Sequence, residues 1–464
     1  MFRLRCAFQT YDWGKFGADS EVYKLLRHSG QIQELDGSKP YAELWMGTHV
    51  SGPSFLMDDR SMSLDNYISK NVQCLGSTVS ENFGNVLPFL FKVLSVRKAL
   101  SIQAHPDKDC AAKLHQARPD LYKDANHKPE IAIALTPFEA MVAFRPSEEI
   151  GTFAKYIPEL HAVIGPDFTN DLLNISTADK ANSSQSIKAA YSRLMNANPT
   201  VISDLVETLK RRLTNGEKII IPPVENHILD TEVLGNVFVR LATDYPGDVG
   251  CFSLFFFNYI KLNPGEAIFL EPNLPHAYLF GDCVECMASS DNVIRAGLTP
   301  KFKDVDHLLR IIQYEPRWGS ALKFAGQRKT IEPIDSCIIA SNDNVSEKSI
   351  VQNDASVVSE IVTFSPPVDD FAVDRISISG KHKTVQFSPL KSASILIIIH
   401  GKGTLQRLHL DVLRTSAFIC ESVEFDEGSV FFISAGVSFC IHQFLQESNS
   451  YILAFRAYAN VSTD

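Results

Sequence analysis

The chain has 464 residues, of which 45% are apolar and 21% charged, values typical of a soluble globular protein. This length exceeds what one hydrophobic core usually covers, so we expect two or three domains. The net charge of −10 argues against a nucleic-acid-binding surface, which needs a basic face. An acidic chain can still bind a small anion, but only through a local basic pocket.

Membrane, export and redox features all favour a cytoplasmic protein. The longest apolar runs, such as "SILIII", are far shorter than the ~20 residues that a membrane-spanning helix needs. No charged and apolar leader precedes the first motif. The nine cysteines form no disulfide framework and are expected to be reduced. Cys283 and Cys286 form a CxxC pair, but on a strand they would point to opposite faces and would not share an ion.

Up to about residue 146, the sequence predicts mostly short strands and turns. The segments "YAELWMGTHVSGPSFL", "LPFLFKVLSV" and "ALSIQAHP" carry β-branched and aromatic residues bounded by Gly, Pro and Ser. A helix is predicted over "DKDCAAKLHQA".

The middle of the chain, residues 147–246, is predicted to be a helical insertion. Asn198-Pro199 is typical of a helix cap and first turn. Two apolar runs have helical spacing: Ile187, Ala190, Tyr191 and Leu194, then Ile202, Leu205, Val206, Leu209 and Leu213.

Strand patterns return in "CFSLFFFNYIKL" and "GEAIFLEPNLPHAYLF", and the polar stretch "SNDNVSEKSIVQNDASVVSE" then precedes a last β-rich block. In that block, residues 428–439 align without gaps on residues 265–276. Each copy has a Gly turn, an apolar strand and a second strand, as jelly-roll barrels use repeatedly. The alignment predicts two related barrels and pairs Phe439 with His276, so the second copy would lack that histidine.

Polar side chains alternate with apolar ones in "ALSIQAHP", directly after an apolar run. On a strand, Ser101, Gln103 and His105 would share one face, with Ile102 and Ala104 on the other. The pattern fits either an edge strand facing water or a strand that lines a cavity.

Two further segments favour the cavity. In "HKPEIAIAL", Lys128 and Glu130 share a face with two small alanines, and in "PNLPHAYLF" His276 and Tyr278 share a face. Two histidines and a carboxylate on separate strands suit a borderline divalent ion, either zinc or iron. Gln103 would be an unusual further oxygen ligand for zinc. Remaining positions at such an ion would go to water or substrate, as in catalytic sites.

Three basic residues complete the candidate site. Arg295 and Lys301 lie in "MASSDNVIRAGLTPKFKD", which reads as a loop. Arginine and lysine are the residues usually recruited for phosphate or a developing oxyanion, although a solvated basic loop is the alternative. Lys92 lies inside the apolar run "FLFKVLSV", where a lysine must extend to solvent or meet an anion.

These segments together resemble the type I phosphomannose isomerase family. "QTYDWG", "ELWMGTHVSGPS", "SIQAHPDK", "NHKPEIAIAL" and "PNLPHAYLFGDCVECMASSDNVIRAGLTPKFKD" stand in the order and spacing of the family. The resemblance is strong up to about residue 310 and looser beyond it.

The resemblance implies a mainly β fold with a helical insertion, built as two cupin (jelly-roll) barrels plus an α-helical domain. Residues 1–146 and 247–325 would form a discontinuous catalytic cupin, residues 147–246 the helical domain, and residues 326–464 a metal-free cupin-like barrel.

The resemblance also assigns the site residues. One zinc ion per chain would be bound by Gln103, His105, Glu130 and His276. Arg295 would be the principal catalytic residue, and Lys128 and Lys301 would help to hold the sugar phosphate. Further pocket residues would be Trp13, His49, Lys92, Ser101, Tyr278, Glu285 and Asp291.

The implied activity is the interconversion of mannose 6-phosphate and fructose 6-phosphate, which would supply GDP-mannose synthesis. We expect C1/C2 proton transfer through a cis-enediol, with His49 and Lys128 as candidate bases and Glu285 and Asp291 also open. A hydride shift is the mechanistic alternative. The functional alternatives are a cupin Fe(II) oxygenase and a non-catalytic sugar-phosphate sensor. No nucleic acid, membrane or obligate protein partner is expected.

Overall fold

A computed structural model of the chain describes residues 1–32, 34–175, 179–224, 229–331, 359–379, 384–410, 417–443 and 451–461. The chain divides into two compact units. The central unit comprises Val96–Cys283 and Ser290–Phe324, and the terminal unit comprises Met1–Ser95, Val284–Ser289 and Ala325–Asp464. Residues 341–358 of the predicted polar stretch lie outside the described residues.

Helices of the central unit concentrate in the predicted insertion. They are Lys108–Ala117, Ser147–Tyr156, Pro158–Ile164, Pro166–Asn174, Lys180–Met195, Pro199–Thr214, Thr231–Asp244 and Val305–Ile311. The helix predicted over "DKDCAAKLHQA" is confirmed, and the Asp107 side chain caps it by accepting from the Cys110 amide. Asn198 is confirmed as a cap, since its side chain accepts from the amides of Thr200 and Val201.

Burial in this region follows the helical spacing read from the sequence. Ile187, Ala190, Tyr191 and Leu194 are all buried in one core cluster. In the next helix Ile202, Val206 and Leu209 are buried, while Leu205 and Leu213 pack against the same cluster from a partly exposed position. An apolar stripe at this spacing must bury against neighbouring elements, and that packing, rather than intrinsic propensity, stabilises helices of this length.

Short antiparallel strands make up the rest of the central unit. They are Ile102–Ala104, Glu130–Ala134, Phe138–Phe144, Phe257–Leu262, Ala267–Leu270, Ile294–Gly297, Lys323–Phe324 and the first part of His276–Ala288. His276 stands opposite both Gln103 and Val142, and Glu130 stands opposite Leu270. Polar residues of three segments are thereby brought into neighbouring positions of one sheet.

The segment "CFSLFFFNYIKL" is strand over only half its length. Val249–Phe255 forms a 3-10 helix, and the strand Phe257–Leu262 begins after it. Asp248 accepts from the Gly250 amide and so starts the helical turn. Every residue from Gly250 to Phe257 is buried, so the sequence shows an apolar run, interrupted only by Ser253, that has no periodicity to separate helix from strand.

The terminal unit contains three helices that the sequence reading missed among the described residues of its N-terminal part: Glu21–His28, Leu64–Lys70 and Ser77–Phe83. All three are seven or eight residues long, too short to show clear periodicity. The strands Ala7–Gln9, Glu43–Met46 and Phe89–Val96 pair in that order, with Trp45 opposite both Ala7 and Lys92.

The C-terminal block of the terminal unit is antiparallel sheet. One sheet runs in the order Gln327–Thr330, Glu360–Phe364, Ala372–Ser379, Tyr451–Tyr458, Ser394–His400, Val430–Ile433, Phe2–Arg5 and Phe55–Leu56. A second runs in the order Thr384–Phe387, Ser438–Gln443, Gly403–Leu410 and Ala417–Phe425. The first strand of the chain thus pairs beside Val430–Ile433, which no local pattern predicts.

The internal repeat corresponds to matching local structure. Gly265 and Gly428 both have positive φ, at 87° and 77°, and the strands Ala267–Leu270 and Val430–Ile433 follow at equal distances. A second strand then covers His276 in the first copy and Phe439 in the second. Among the described residues, no helix is long and apolar enough to cross a membrane.

Candidate metal centre

Three ligand-type side chains converge in the central unit. His105, Glu130 and His276 are buried, and one ligand atom from each lies within 4.8 Å of the others. Glu130 Oε2 is 3.4 Å from His105 Nε2 and 3.5 Å from His276 Nε2. The structure therefore brings together three of the four metal ligands that the family resemblance implies.

Hydrogen bonds to backbone carbonyls fix both imidazole rings. His105 Nδ1 lies 2.7 Å from the Asn292 carbonyl oxygen, and His276 Nδ1 lies 2.9 Å from that of Leu274. Because a carbonyl oxygen only accepts, each Nδ1 must carry the proton. Each Nε2 then presents its lone pair towards Glu130, which is the arrangement that metal-binding histidines need.

Gln103 adjoins this cluster from the strand position opposite His276. Its Nε2 is 3.4 Å from His276 Nε2, and its Oε1 accepts from the Ser101 hydroxyl at 3.3 Å. The oxygen and nitrogen of an amide exchange places by half a turn of the amide group. In that orientation Gln103 presents Oε1 to the cluster and donates to Ser101, so its environment suits an oxygen ligand.

Two of the converging atoms have no hydrogen-bond partner among the described residues. His105 Nε2 and Glu130 Oε2 are both buried, and neither has such a partner. Leaving a buried polar atom unsatisfied costs roughly 1–3 kcal/mol, more for a charged group. A divalent cation between them would satisfy both, and two imidazoles with carboxylate and amide oxygens suit zinc or iron. The donor set thus fits a bound metal.

The protonation states of these ligands also suit a metal. Burial, with the Lys128 charge adding to it, lowers the pKa of His105 to about 4, so its ring is neutral at pH 7. Burial alone would raise the pKa of Glu130, but the charge of Lys128, 3.3 Å away, holds that pKa well below its ordinary value. Neutral imidazole and ionised carboxylate are the forms that ligate metals.

Basic residues stand beside the cluster in the same unit. Lys128 is buried, with Nζ 3.3 Å from Glu130 Oε1. Arg295, expected in a loop, lies instead on the short strand Ile294–Gly297, opposite Gln103. Burial lowers the pKa of this guanidinium, which nevertheless stays charged at neutral pH. A four-residue strand beside a Gly- and Ser-rich segment carries too little alternation to be recognised from sequence.

The other predicted site residues of the central unit differ in their burial and in their contacts with the cluster. Tyr278 is buried, with its ring centre 6.2 Å from that of His276. Ser101 reaches the cluster through Gln103, as described above. Asp291 and Lys301 are exposed.

The terminal unit holds a second group of predicted residues. Lys92 is buried and does meet anions, since its Nζ lies 3.4 Å from both Glu43 and Glu285 and 5.0 Å from the Trp45 ring centre. His49 Nδ1 accepts from the Ser51 amide at 3.2 Å. Trp13 is half-buried and stacks on Tyr11, with ring centres 5.8 Å apart.

Sequence reasoning missed two residues of these groups. Glu43 is buried and accepts from the Trp45 indole as well as approaching Lys92. A glutamate within the otherwise apolar "YAELWM" was the available signal, because a buried carboxylate needs a partner. Asn292 acts through its backbone carbonyl, which no sequence pattern reveals.

Comparison with known proteins identifies the family of the chain. Family models described as phosphomannose isomerase type I match residues 1–147 (catalytic domain), 163–257 (helical insertion domain) and 362–409 (C-terminal). A probable mannose-6-phosphate isomerase of Echinococcus multilocularis is 43% identical over 468 residues, covering 99% of this chain and 100% of the relative. The human mannose-6-phosphate isomerase is 39% identical over 440 residues, covering 94% of each chain.

Solved structures give the same result. A crystal structure of mannose 6-phosphate isomerase bound with zinc and yttrium superposes with a TM-score of 0.70 at 29% identity, covering 99% of both chains. The apo form from Salmonella typhimurium gives 0.69 at 29% identity, again with 99% of both chains covered. The chain belongs to the type I phosphomannose isomerase family.

Removing one ligand should abolish tight metal binding. We expect His276→Ala to weaken Zn²⁺ affinity by more than ~100-fold, since loss even of outer-shell partners costs 10–100-fold. His115→Ala is the matched control, because His115 Nδ1 also bonds a backbone carbonyl, at 2.7 Å from Tyr122, but His115 lies outside the cluster. Metal content after gel filtration and competition with a chromophoric chelator measure both. Wild-type zinc content in His276→Ala would contradict the assignment.

Proposed function

We propose that this chain is a zinc-dependent isomerase that interconverts mannose 6-phosphate and fructose 6-phosphate. The observation that carries the proposal is the buried cluster of His105, Glu130 and His276, in which two converging atoms have no described partner. Membership of the family and the zinc in a related crystal structure support zinc over iron. We assign Gln103 as the fourth ligand and one zinc ion per chain.

We also propose that the sheets form two cupin barrels with the predicted boundaries, and that the helical domain interrupts the first of them in sequence. The antiparallel pairing and the family description of a helical insertion support this reading. The C-terminal barrel would bind no metal, since the repeat places Phe439 where the first copy has His276. A cytoplasmic location and a supply of mannose units to GDP-mannose synthesis complete the proposal.

The reaction moves a proton between C1 and C2 of the sugar, and we propose a cis-enediol route. Bound zinc would supply Lewis-acid polarisation of the substrate oxygens. Arg295 would stabilise the developing oxyanion, because its guanidinium keeps its charge and presents a planar fork of donors. Lys301 would hold the phosphate. The remaining proposed substrate contacts are Trp13, Lys92, Ser101, Tyr278, Glu285 and Asp291.

His49 and Lys128 are the leading candidates for the base. His49 Nδ1 accepts from a backbone amide, so the neutral ring carries its proton on Nε2 and acts there as a donor. Lys128 adjoins the metal cluster and would act as the base only when its amine is neutral. We therefore favour Lys128 as the base and His49 as a hydrogen-bond donor to the sugar.

Metal removal and replacement test the proposed function. Chelator-treated protein should lose turnover of mannose 6-phosphate and regain it with stoichiometric Zn²⁺. Recovery under anaerobic conditions excludes an oxygenase, which needs O₂. Zinc-replete protein that binds mannose 6-phosphate without turning it over would instead identify a sensor and contradict the proposal.

Arg295 should be needed for turnover but not for metal binding. We expect Arg295→Ala to lower kcat by ~10²–10³-fold, the usual loss for one oxyanion donor, with zinc content unchanged. Arg310→Ala removes an exposed arginine from the helix Val305–Ile311 and serves as control. Steady-state kinetics and metal analysis measure the two effects. Loss of zinc in Arg295→Ala would overturn its assigned role.

Solvent exchange should distinguish proton transfer from a hydride shift. In an enediol route the base holds the transferred proton, which exchanges with solvent. Isomerisation in D₂O should therefore place deuterium at C2 of mannose 6-phosphate. Mass spectrometry or proton NMR of the recovered sugar measures the label. Complete absence of label would favour the hydride shift.

A further inference from the structure

Asp124 is the centre of a hydrogen-bond network within the central unit. Its Oδ1 accepts from the Ser290 hydroxyl at 2.8 Å, the Asn126 amide at 2.9 Å and the Asn292 side-chain nitrogen at 3.1 Å. Its Oδ2 accepts from the Asp291 amide at 2.8 Å. One carboxylate thus ties together two segments that are more than 160 residues apart in sequence.

Asn292 is held in place by further hydrogen bonds of this network. Its side-chain nitrogen also donates to the carbonyl oxygens of Asp124 at 2.7 Å and Asn126 at 3.0 Å, and its own amide donates to the Ser290 hydroxyl at 3.1 Å. Only 1% of Asn292 is exposed. Its carbonyl is the group that accepts from His105 Nδ1 at 2.7 Å. Hydrogen bonds to Asp124 thus restrain the residue whose carbonyl contacts His105.

Both joined segments lead directly into the candidate site. Four residues after Asn126 the chain reaches Glu130, and three residues after Asn292 it reaches Arg295. Hydrogen bonds to an ionised carboxylate are roughly twice as strong as neutral ones, so four on one group hold the segments firmly. Metal ligands depend on outer hydrogen-bond partners for ring orientation and affinity.

We propose that Asp124 is a positioning residue of the metal centre, acting through Asn292 on the imidazole of His105. The inference rests on the proposed function only in requiring that the cluster binds a divalent metal. Asp124 does not touch the metal ligands itself. It fixes the carbonyl that sets both the tautomer and the direction of His105 Nε2.

Graded substitution of Asp124 tests this. Asp124→Asn keeps one acceptor oxygen but turns an NH₂ group towards backbone and side-chain donors, and Asp124→Ala removes both oxygens. We expect the Zn²⁺ dissociation constant to rise ~10-fold in Asp124→Asn and up to ~100-fold in Asp124→Ala, the range seen for outer-shell partners. In Co²⁺-loaded protein, the visible absorption bands should shift, because the direction of His105 changes. Ser290→Ala removes the hydroxyl's bonds to Asp124, to the Asn126 carbonyl and to the Asn292 amide, but leaves the three other bonds to the Asp124 carboxylate, and should give a smaller rise in the same direction.

Asp248→Asn is the matched control. Asp248 also restrains a loop of the central unit through hydrogen bonds to its carboxylate. It accepts from the Gly250 amide at 2.7 Å, the Leu298 amide at 2.9 Å and Lys303 Nζ at 2.7 Å. None of these bonds involves a histidine. This variant should lower the melting temperature while leaving zinc affinity and the Co²⁺ spectrum as in the wild type.

The outcomes separate this inference from the proposed function. If Asp124→Asn and Ser290→Ala lower only the melting temperature, with zinc affinity and the Co²⁺ spectrum unchanged, Asp124 is merely structural and the inference is overturned. A wild-type protein that binds neither Zn²⁺ nor Co²⁺ overturns both. A wild-type protein that binds Zn²⁺ without isomerising mannose 6-phosphate overturns the proposed function alone, and the variants still decide the role of Asp124.

Discussion

The central physical constraint in this protein is the burial of ligand atoms that the protein itself does not satisfy. His105 Nε2 and Glu130 Oε2 face one point without a hydrogen-bond partner among the described residues. Proteins normally pair more than nine in ten buried polar groups, so such a concentration carries a cost in stability. A bound cation would convert that cost into binding free energy, which couples metal affinity to the stability of the surrounding sheet.

The surrounding elements hold this arrangement through backbone groups. His105 is restrained at two points, since its ring donates to the Asn292 carbonyl and its own carbonyl accepts from the Asn273 amide at 2.7 Å. Asn273 has a φ of 66°, and its side chain donates to Asp107, the cap of the following helix. Side-chain hydrogen bonds of this kind stabilise a left-handed conformation that asparagine tolerates better than most residues. The ligand strand, its turn and the next helix are thus one restrained unit.

The sequence predicted those parts of the site that rest on strand alternation. Gln103 lies on the strand Ile102–Ala104, His105 follows directly after that strand, and His276 stands opposite Gln103, so the alternating pattern selected residues that the fold does bring together. Arg295 was placed in a loop because its strand is too short to alternate, and the 3-10 helix Val249–Phe255 was hidden by complete burial. Asn292 and Asp124 depend on contacts between distant segments, which local patterns do not encode. The family resemblance supplied residue roles that alternation could not.

The repeat explains why two sheets of similar local design differ chemically. Both copies use a glycine with positive φ to begin an apolar strand, which is a requirement of the backbone and independent of function. In the second copy Phe439 stacks on Phe387, with ring centres 4.8 Å apart, inside a cluster of aliphatic and aromatic side chains. This aromatic pair occupies the position that a metal ligand would need. Its burial stabilises the sheet by dispersion and the hydrophobic effect. At the corresponding position of the first copy, His276 instead presents its Nε2 atom to Glu130. The same strand position therefore serves the hydrophobic core in one copy and the candidate metal centre in the other.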